Sequence, residues 1–210
     1  MGDQMVSVPG RRDRKKQQTR AALMSAALRL VAERGLDHVT VEEISEAADV
    51  SPRTFFNYFT TKDEAIIGDP FADGVSFRER LLAVPAEVPL LTAVLQVLTV
   101  EIDQIQADRD VWLLRMRVIT DNPSLLTALF TRGSEAELDS IAAIAARTGL
   151  PAGSVYPQLA ATLTGAAFRT AMMRWAAAED GRLLDDFVRE AFGHLAAGLA
   201  QPAPSTEEVD

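Results

Sequence analysis

The sequence contains no cysteine and only two histidines, His38 and His194. Disulfide bonds, thiolate zinc sites and cysteine nucleophiles are therefore excluded. The two histidines lie in different parts of the chain, and acidic pairs such as Asp185 and Asp186 occupy adjacent helical positions that point apart. No P-loop, GxSxG or HExxH motif is present. We therefore expect no enzymatic activity, no metal site and no cofactor.

Long apolar runs are missing as well. No uninterrupted apolar stretch is long enough to cross a membrane, and the polar, basic N-terminus has no apolar segment typical of a signal peptide. We therefore expect a soluble cytoplasmic protein. Alternating β-branched runs are scarce, whereas alanine and leucine dominate, and this composition predicts an all-α fold.

Lysine is rare, and Lys15, Lys16 and Lys62 all lie in the first 62 residues. The net charge of −9 at first argues against nucleic-acid binding. However, residues 1–62 carry ten Lys or Arg against eight Asp or Glu, while residues 63–210 carry eleven against twenty-two. This asymmetry predicts that the N-terminal part of the chain faces DNA and that the acidic remainder does not. The basic segment 11–16 is either an arm on DNA or a solvated tail.

A helix-turn-helix pattern follows. Thr40 and Glu43 form a capping box that opens one helix, Asp49-Val50-Ser51 makes a short turn, and Ser51-Pro52 opens a second helix with an N-cap and a proline at its first position. The second stretch, ending at Phe59, has the spacing of a recognition helix. The turn lacks the glycine that is often found there.

Opposite sides of this recognition helix have different chemistry. Phe55 and Phe59 face the core, whereas Arg53 and Asn57, also four residues apart, project together on the outer side. Arginine can bind guanine and asparagine can bind adenine in the major groove. A further capping box, Thr61 to Glu64, is predicted to place Lys62 near a phosphate. The predicted DNA-binding residues are Thr40, Ser51, Arg53, Thr54, Asn57, Tyr58 and Lys62.

Residues 17–67 resemble the N-terminal domain of TetR-family transcriptional regulators. The resemblance rests on residues 26–30, Gly35-Leu36, the run 40–51, residues 54–59 and Lys62. It implies a DNA-binding domain in which residue 57 often reads bases. The chain departs from the family at Phe56, where a tyrosine hydroxyl usually contacts phosphate, and Tyr58 is expected to take over part of that role.

The rest of the chain predicts a second helical domain. Prolines and glycines in residues 68–89 indicate a linker, with one helical segment from Ser76 to Ala83. The predicted domains are residues 11–67, a three-helix helix-turn-helix domain, and residues 71–200, a ligand-binding and dimerisation domain. About nine helices are expected in all.

The last two predicted helices favour a homodimer. A stripe of Leu159, Leu163, Ala166 and Thr170, together with small residues such as Ala196 in the last helix, suits a helix-pair interface between two subunits. The alternative is packing within one chain. A two-fold dimer would bind a palindromic operator of double-stranded DNA.

The second domain also resembles the C-terminal domain of mycofactocin-type TetR regulators, at residues 115–118, 123–125 and 171–175. This resemblance implies a response to acyl-CoA-like molecules. Apolar and sulfur-containing side chains between helices can line a pocket, with an arginine at its mouth, although the same residues also fit a plain core. The pocket candidates are Trp112, Arg115, Met116, Phe130, Phe168, Met172 and Trp175.

These observations predict a homodimeric, ligand-responsive regulator, and most simply a repressor that a small apolar or acyl-CoA-like effector releases from DNA. A constitutive or partner-switched regulator, or an activator, remains an alternative.

Overall fold

A computed structural model describes residues 11–68 and 75–199 of the chain. These residues form ten α-helices and one 3₁₀ turn, with no strand among them, which confirms the all-α fold. There are ten helices rather than about nine. The helices are α1 (Arg11–Arg34), α2 (Val41–Ala47), α3 (Pro52–Phe56), α4 (Lys62–Ile67), α5 (Phe77–Ala83), α6 (Leu90–Ala107), α7 (Arg109–Thr120), α8 (Pro123–Thr148), α9 (Val155–Ala177) and α10 (Leu184–Ala196). The 3₁₀ turn spans Leu36–His38.

Local capping sets where several helices begin. The segment predicted at Ser76 to Ala83 is a true helix, because the Ser76 backbone N–H donates to the Glu79 carboxylate at 2.9 Å while the Ser76 hydroxyl accepts from the Glu79 N–H. None of the helices in the two described ranges is long and apolar enough to cross a membrane. Residues 1–10 and those beyond 199 lie outside the described residues.

The described residues pack as two compact units. The first unit contains residues 11–68, 75 and 108–133, and the second contains residues 76–107 and 134–199. Helix α7 and the start of α8 thus belong to the helix-turn-helix unit, because Val118, Ile119 and Leu125 join its core. The domain limits 11–67 and 71–200 follow the sequence pattern and stay a prediction.

The core of the first unit centres on α1. Leu23, Ala27, Leu30 and Val31 are buried, as their helical spacing predicts, and each buried leucine or valine contributes roughly 1.5–3 kcal/mol. Phe55 of α3 packs into the same core. The recognition segment is thereby fixed to a preformed scaffold.

The second unit is built mainly from α6, α9 and α10 with part of α8. Trp175, Phe187 and Phe192 are buried in it. Arg147, near the end of α8, binds four main-chain carbonyls. They belong to Leu81, Val84, Pro85 and Val88, at 2.7–3.0 Å. One guanidinium thus holds the whole connection from α5 to α6.

Candidate nucleic-acid interface and apolar groove

The start of α2 is tied to the end of α1. Thr40 and Glu43 form the predicted capping box, with N–H to side-chain oxygen distances of 2.9 and 3.2 Å. The second Glu43 oxygen accepts from Arg34 at 3.0 Å. The Thr40 backbone bond is the largest of the effects that hold the pKa of the Glu43 carboxyl below its ordinary value of 4.5. Glu43 therefore links the start of α2 to the end of α1.

The turn between α2 and α3 is built without glycine. Asp49 takes a φ of 54°, in the left-handed region that aspartate tolerates better than most residues. The Val50 N–H donates to the Ser45 carbonyl at 2.9 Å and the Asp49 N–H to the Glu46 carbonyl at 3.0 Å. These two bonds make a Schellman motif. Asp49 therefore occupies the left-handed position that glycine often takes in this motif.

Helix α3 is shorter than the predicted recognition stretch. Ser51 caps it by accepting from the Thr54 N–H at 3.1 Å, and the two hydroxyls lie 2.9 Å apart. The helix ends at Phe56, and Asn57 is the C-cap residue, still with helical φ and ψ. The Phe59 N–H still donates to the Phe55 carbonyl at 3.0 Å. Arg53 and Asn57 therefore keep their helical relation although regular helix stops between them.

The outer side of α3 carries the predicted base-reading residues. Arg53 and Asn57 are exposed, and Thr54 is half-buried beside the Ser51 cap. Tyr58 is half-buried against the core. The hydroxyls of Thr40 and Ser51 already serve as helix caps. Arg53 on α3 and the C-cap residue Asn57 are thus exposed polar side chains that cap no helix with their side chains.

The start of α4 differs from the prediction. The Thr61 hydroxyl accepts from the Glu64 N–H at 3.2 Å, but the Glu64 carboxylate accepts from the Thr60 N–H at 2.7 Å, one residue before the cap. The Lys62 ammonium donates to the Leu36 and Val39 carbonyls at 2.7 and 2.9 Å. Two of its three donors therefore hold the turn after α1, which is a structural role that the sequence pattern did not indicate.

The basic N-terminal segment is the start of α1, which begins at Arg11. The side chains of Arg14, Lys15 and Lys16 are exposed, while those of residues 11–13 lie outside the description. Further along the helix, the Arg20 guanidinium lies 4.7 Å from the centre of the Phe59 ring. This cation–π contact was not predicted, because it joins residues 39 positions apart.

The exit from the helix-turn-helix is a buried glycine. Gly68 has φ 79° and ψ 176°, a region essentially restricted to glycine, and its carbonyl accepts from Arg132 at 2.6 Å. A Cβ there would lie 3.3 Å from an Arg115 nitrogen. Burial lowers the pKa of Arg115, and Asp108 partly offsets this effect. Two arginines, from α7 and α8, thus meet the end of α4.

The pocket candidates fall into both compact units, and each set is described separately. In the first unit, Trp112, Arg115 and Met116 are half-buried. Phe130 is 69% exposed, which is more than is expected of a side chain that lines an enclosed cavity. In the second unit, Phe168 is half-buried, and Met172 and Trp175 are buried. The pocket candidates therefore stay a prediction.

An apolar groove of about 280 Å³ runs between α9 and α10 of the second unit. Of the predicted dimer-interface residues, Leu163, Ala166 and Thr170 line it. Leu159, one turn earlier, is 53% exposed, and Ala196 is exposed on α10. The predicted stripe is therefore an open face in the single chain.

Charged side chains border this groove. Glu190 accepts from Arg174 at 2.6 Å and from Arg182 at 2.8 Å, and these bonds, that of Arg182 first, lower the pKa of its carboxyl. Both guanidinium groups lie over the Phe187 ring. An apolar floor with a polar rim is typical of protein interfaces. No cluster of three or more metal-ligating side chains occurs within residues 11–68 and 75–199.

The fold and the outer face of α3 define an all-helical, helix-turn-helix DNA-binding protein. Residues 23–65 match the family described as bacterial regulatory proteins, tetR family. Residues 88–200 match the MftR C-terminal domain. The chain therefore belongs to the TetR family of DNA-binding transcriptional regulators, whose members bind DNA and act as dimers.

Individual proteins are similar to this chain in sequence or in fold. The chain is 33% identical over 148 residues to the HTH-type transcriptional regulator TcmR of Streptomyces glaucescens, covering 68% of this chain and 66% of TcmR, just under two thirds. Its fold is similar to that of FadR from Thermus thermophilus, with a TM-score of 0.53, 24% identity, and 89% and 98% of the two chains covered. FadR from Bacillus halodurans gives a TM-score of 0.56 at 16% identity, with 88% and 97% covered.

Proposed function

We propose that this chain is a homodimeric repressor that binds a palindromic operator and is released by a small apolar or acyl-CoA-like effector. The observation that carries the proposal is the exposed pair of Arg53 on α3 and its C-cap residue Asn57, held in place by the burial of Phe55 on the opposite side. This pair offers the donors and acceptors suited to guanine and adenine in the major groove. Thr54 and Tyr58 flank it with hydroxyl groups suited to phosphate.

The homodimer is supported by the open face on α9 and α10. Leu163, Ala166 and Thr170 line an apolar groove, and the exposed Leu159 lies beside it. Burial of this surface against a second copy would stabilise the dimer. One α3 reads only a short half-site, so a two-fold dimer would place two copies about 34–36 Å apart on one face of the DNA.

The effector class is supported by resemblance and by side-chain chemistry. The structure of Thermus thermophilus FadR is a complex with lauroyl-CoA, and residues 88–200 match the MftR C-terminal domain. In this chain the half-buried Phe168 offers apolar surface in the second unit, next along the helix to the buried Met172 and Trp175. An effector that binds the DNA-incompetent state better would lower operator affinity, by a coupling of typically ~1–3 kcal/mol.

Selection of duplexes from a random-sequence pool tests the proposal. We expect an enriched, two-fold symmetric sequence that the protein binds much more tightly than a scrambled duplex. Lauroyl-CoA added to the complex should release the DNA, whereas free coenzyme A should not. Enrichment with no response to lauroyl-CoA would favour the constitutive or partner-switched alternative, and tighter binding with lauroyl-CoA would contradict release as the mechanism. No enrichment would contradict sequence-specific DNA binding.

A further inference from the structure

Phe56 places an apolar ring on the otherwise polar outer side of α3. The ring is 58% exposed, although its neighbour Phe55 is fully buried. Arg53, three residues earlier, and Asn57, the next residue, are the exposed polar groups beside it. The phenyl ring is therefore only partly buried by folding, and it lies on the same side as the side chains proposed to read bases.

The ring also contacts Phe55. The two rings meet edge to face, with ring centres 5.5 Å apart and an angle of 83° between the planes. Edge-to-face pairs are a favoured arrangement of aromatic rings. Because Phe55 is buried in the core, this contact favours one orientation of the Phe56 ring.

The chemistry of the major groove limits what such a ring can contact. Base edges there offer nitrogen and oxygen atoms and one apolar group, the 5-methyl of thymine. Covering a phosphate or a base nitrogen with a phenyl ring would remove its water without supplying a hydrogen bond. The thymine methyl is therefore the base-edge group that a phenyl ring can cover without this loss.

We propose that Phe56 reads a thymine in the operator by packing its ring on the 5-methyl group. This inference rests on the proposed DNA-binding function. Residues three apart on a helix are separated by about 4.5 Å along its axis, and successive bases of one strand by about 3.4 Å. The thymine should therefore lie within about two base pairs of the base that Arg53 contacts.

The test uses the duplex enriched by the wild-type protein and replaces each thymine in turn by deoxyuridine, which lacks only the methyl group. We expect one thymine in each half-site where this change weakens wild-type binding about three- to fivefold per half-site. At that position Phe56→Ala should bind weakly and equally to the thymine and deoxyuridine duplexes. Phe56→Leu, which keeps an apolar side chain, should retain part of the preference.

Arg53→Ala is the matched control on the same helix. It should lose preference at a different base pair and still respond to removal of the methyl group. Circular dichroism and thermal unfolding check that each variant is folded at the assay temperature. If Phe56→Ala is not folded, Phe56→Gln takes its place, because it keeps a side chain of substantial length but replaces the apolar ring by an amide.

Two results would overturn the inference while leaving DNA binding intact. One is a wild-type protein that responds to deoxyuridine at no position. The other is a loss of affinity in Phe56→Ala that leaves the response to deoxyuridine unchanged at every position, as expected if the ring packs on the sugar backbone. Failure to enrich any duplex would instead contradict the proposed function, and this inference with it.

Discussion

Arg53 and Asn57 are the residues on which base recognition depends in this account. We predict that Arg53→Ala and Asn57→Ala each reduce affinity for the selected duplex by ~1–3 kcal/mol and relax the preference at one base pair. Both side chains are exposed, so the thermal stability of the protein should hardly change. Competition binding with single-base-pair variants of the duplex measures the preference, and equal losses on selected and scrambled DNA would rule out a reading role.

Asp49 has a positive φ in the turn between α2 and α3, and substitutions there measure the cost of this backbone conformation. Its φ of 54° costs a residue with a Cβ roughly 1 kcal/mol or more, and glycine has no such cost. We predict that Asp49→Gly raises the free energy of unfolding by about 0.5–1.5 kcal/mol, as measured by urea unfolding. Asp49→Ala is the matched variant, and it should give no gain. A gain of the same size in both would show that the aspartate charge, not the backbone, is responsible.

At the scale of secondary-structure elements, Lys62 joins α4 to the turn after α1. We predict that Lys62→Ala destabilises the protein by about 1–3 kcal/mol, because two buried or half-buried carbonyls lose a charged donor. The exposed Lys16→Ala is the control, with an expected effect within about 0.5 kcal/mol.

The same variant separates positioning from direct contact with DNA. If Lys62 acts by holding the turn, the slope of log affinity against log salt should match that of the wild type. A slope smaller by about one, with unchanged thermal stability, would show that its ammonium neutralises a phosphate instead, as the sequence pattern predicted.

Arg147 plays a corresponding part in the second unit. Removing its four bonds to carbonyls should cost about 2–4 kcal/mol in Arg147→Ala, as measured by chemical unfolding. Arg147→Lys should lie between this variant and the wild type, because an ammonium cannot reproduce the planar fork of a guanidinium. Arg189→Ala, which breaks an exposed pair with Asp185, should change stability by at most about 1 kcal/mol. Equal effects at both arginines would contradict the clamp.

These elements show what could be predicted from the sequence. The caps at Thr40 and Ser51 depend on residues three positions apart, so local pattern was enough to find them. Other contacts join segments that are far apart in the sequence, so no local pattern predicts them. They are the hydrogen bonds of Lys62 to residues 36 and 39, of Arg132 to residue 68 and of Arg147 to residues 81–88. For the same reason, the packing of α7 with the helix-turn-helix was missed.

At the scale of the whole molecule, the proposed repressor consists of two copies joined through α9 and α10. We predict that Leu159→Asp converts the dimer to monomers, because the two-fold axis would bury two unpaired carboxylates. Val100→Asp, at another exposed apolar residue, should remain a dimer. Light scattering after size-exclusion chromatography measures the mass, and circular dichroism checks the helix content. If Leu159→Asp is folded and still dimeric, the dimer interface does not lie at Leu159.

The distribution of charge over the chain leads to the most direct test of the central claim, that this acidic protein binds specific DNA. The measurement is fluorescence anisotropy of the selected duplex and of a scrambled duplex, across about 50 to 300 mM salt. We expect a strong preference for the selected duplex and an affinity that falls steeply as the salt concentration rises. Equal, weak binding of both duplexes at every salt concentration would contradict it.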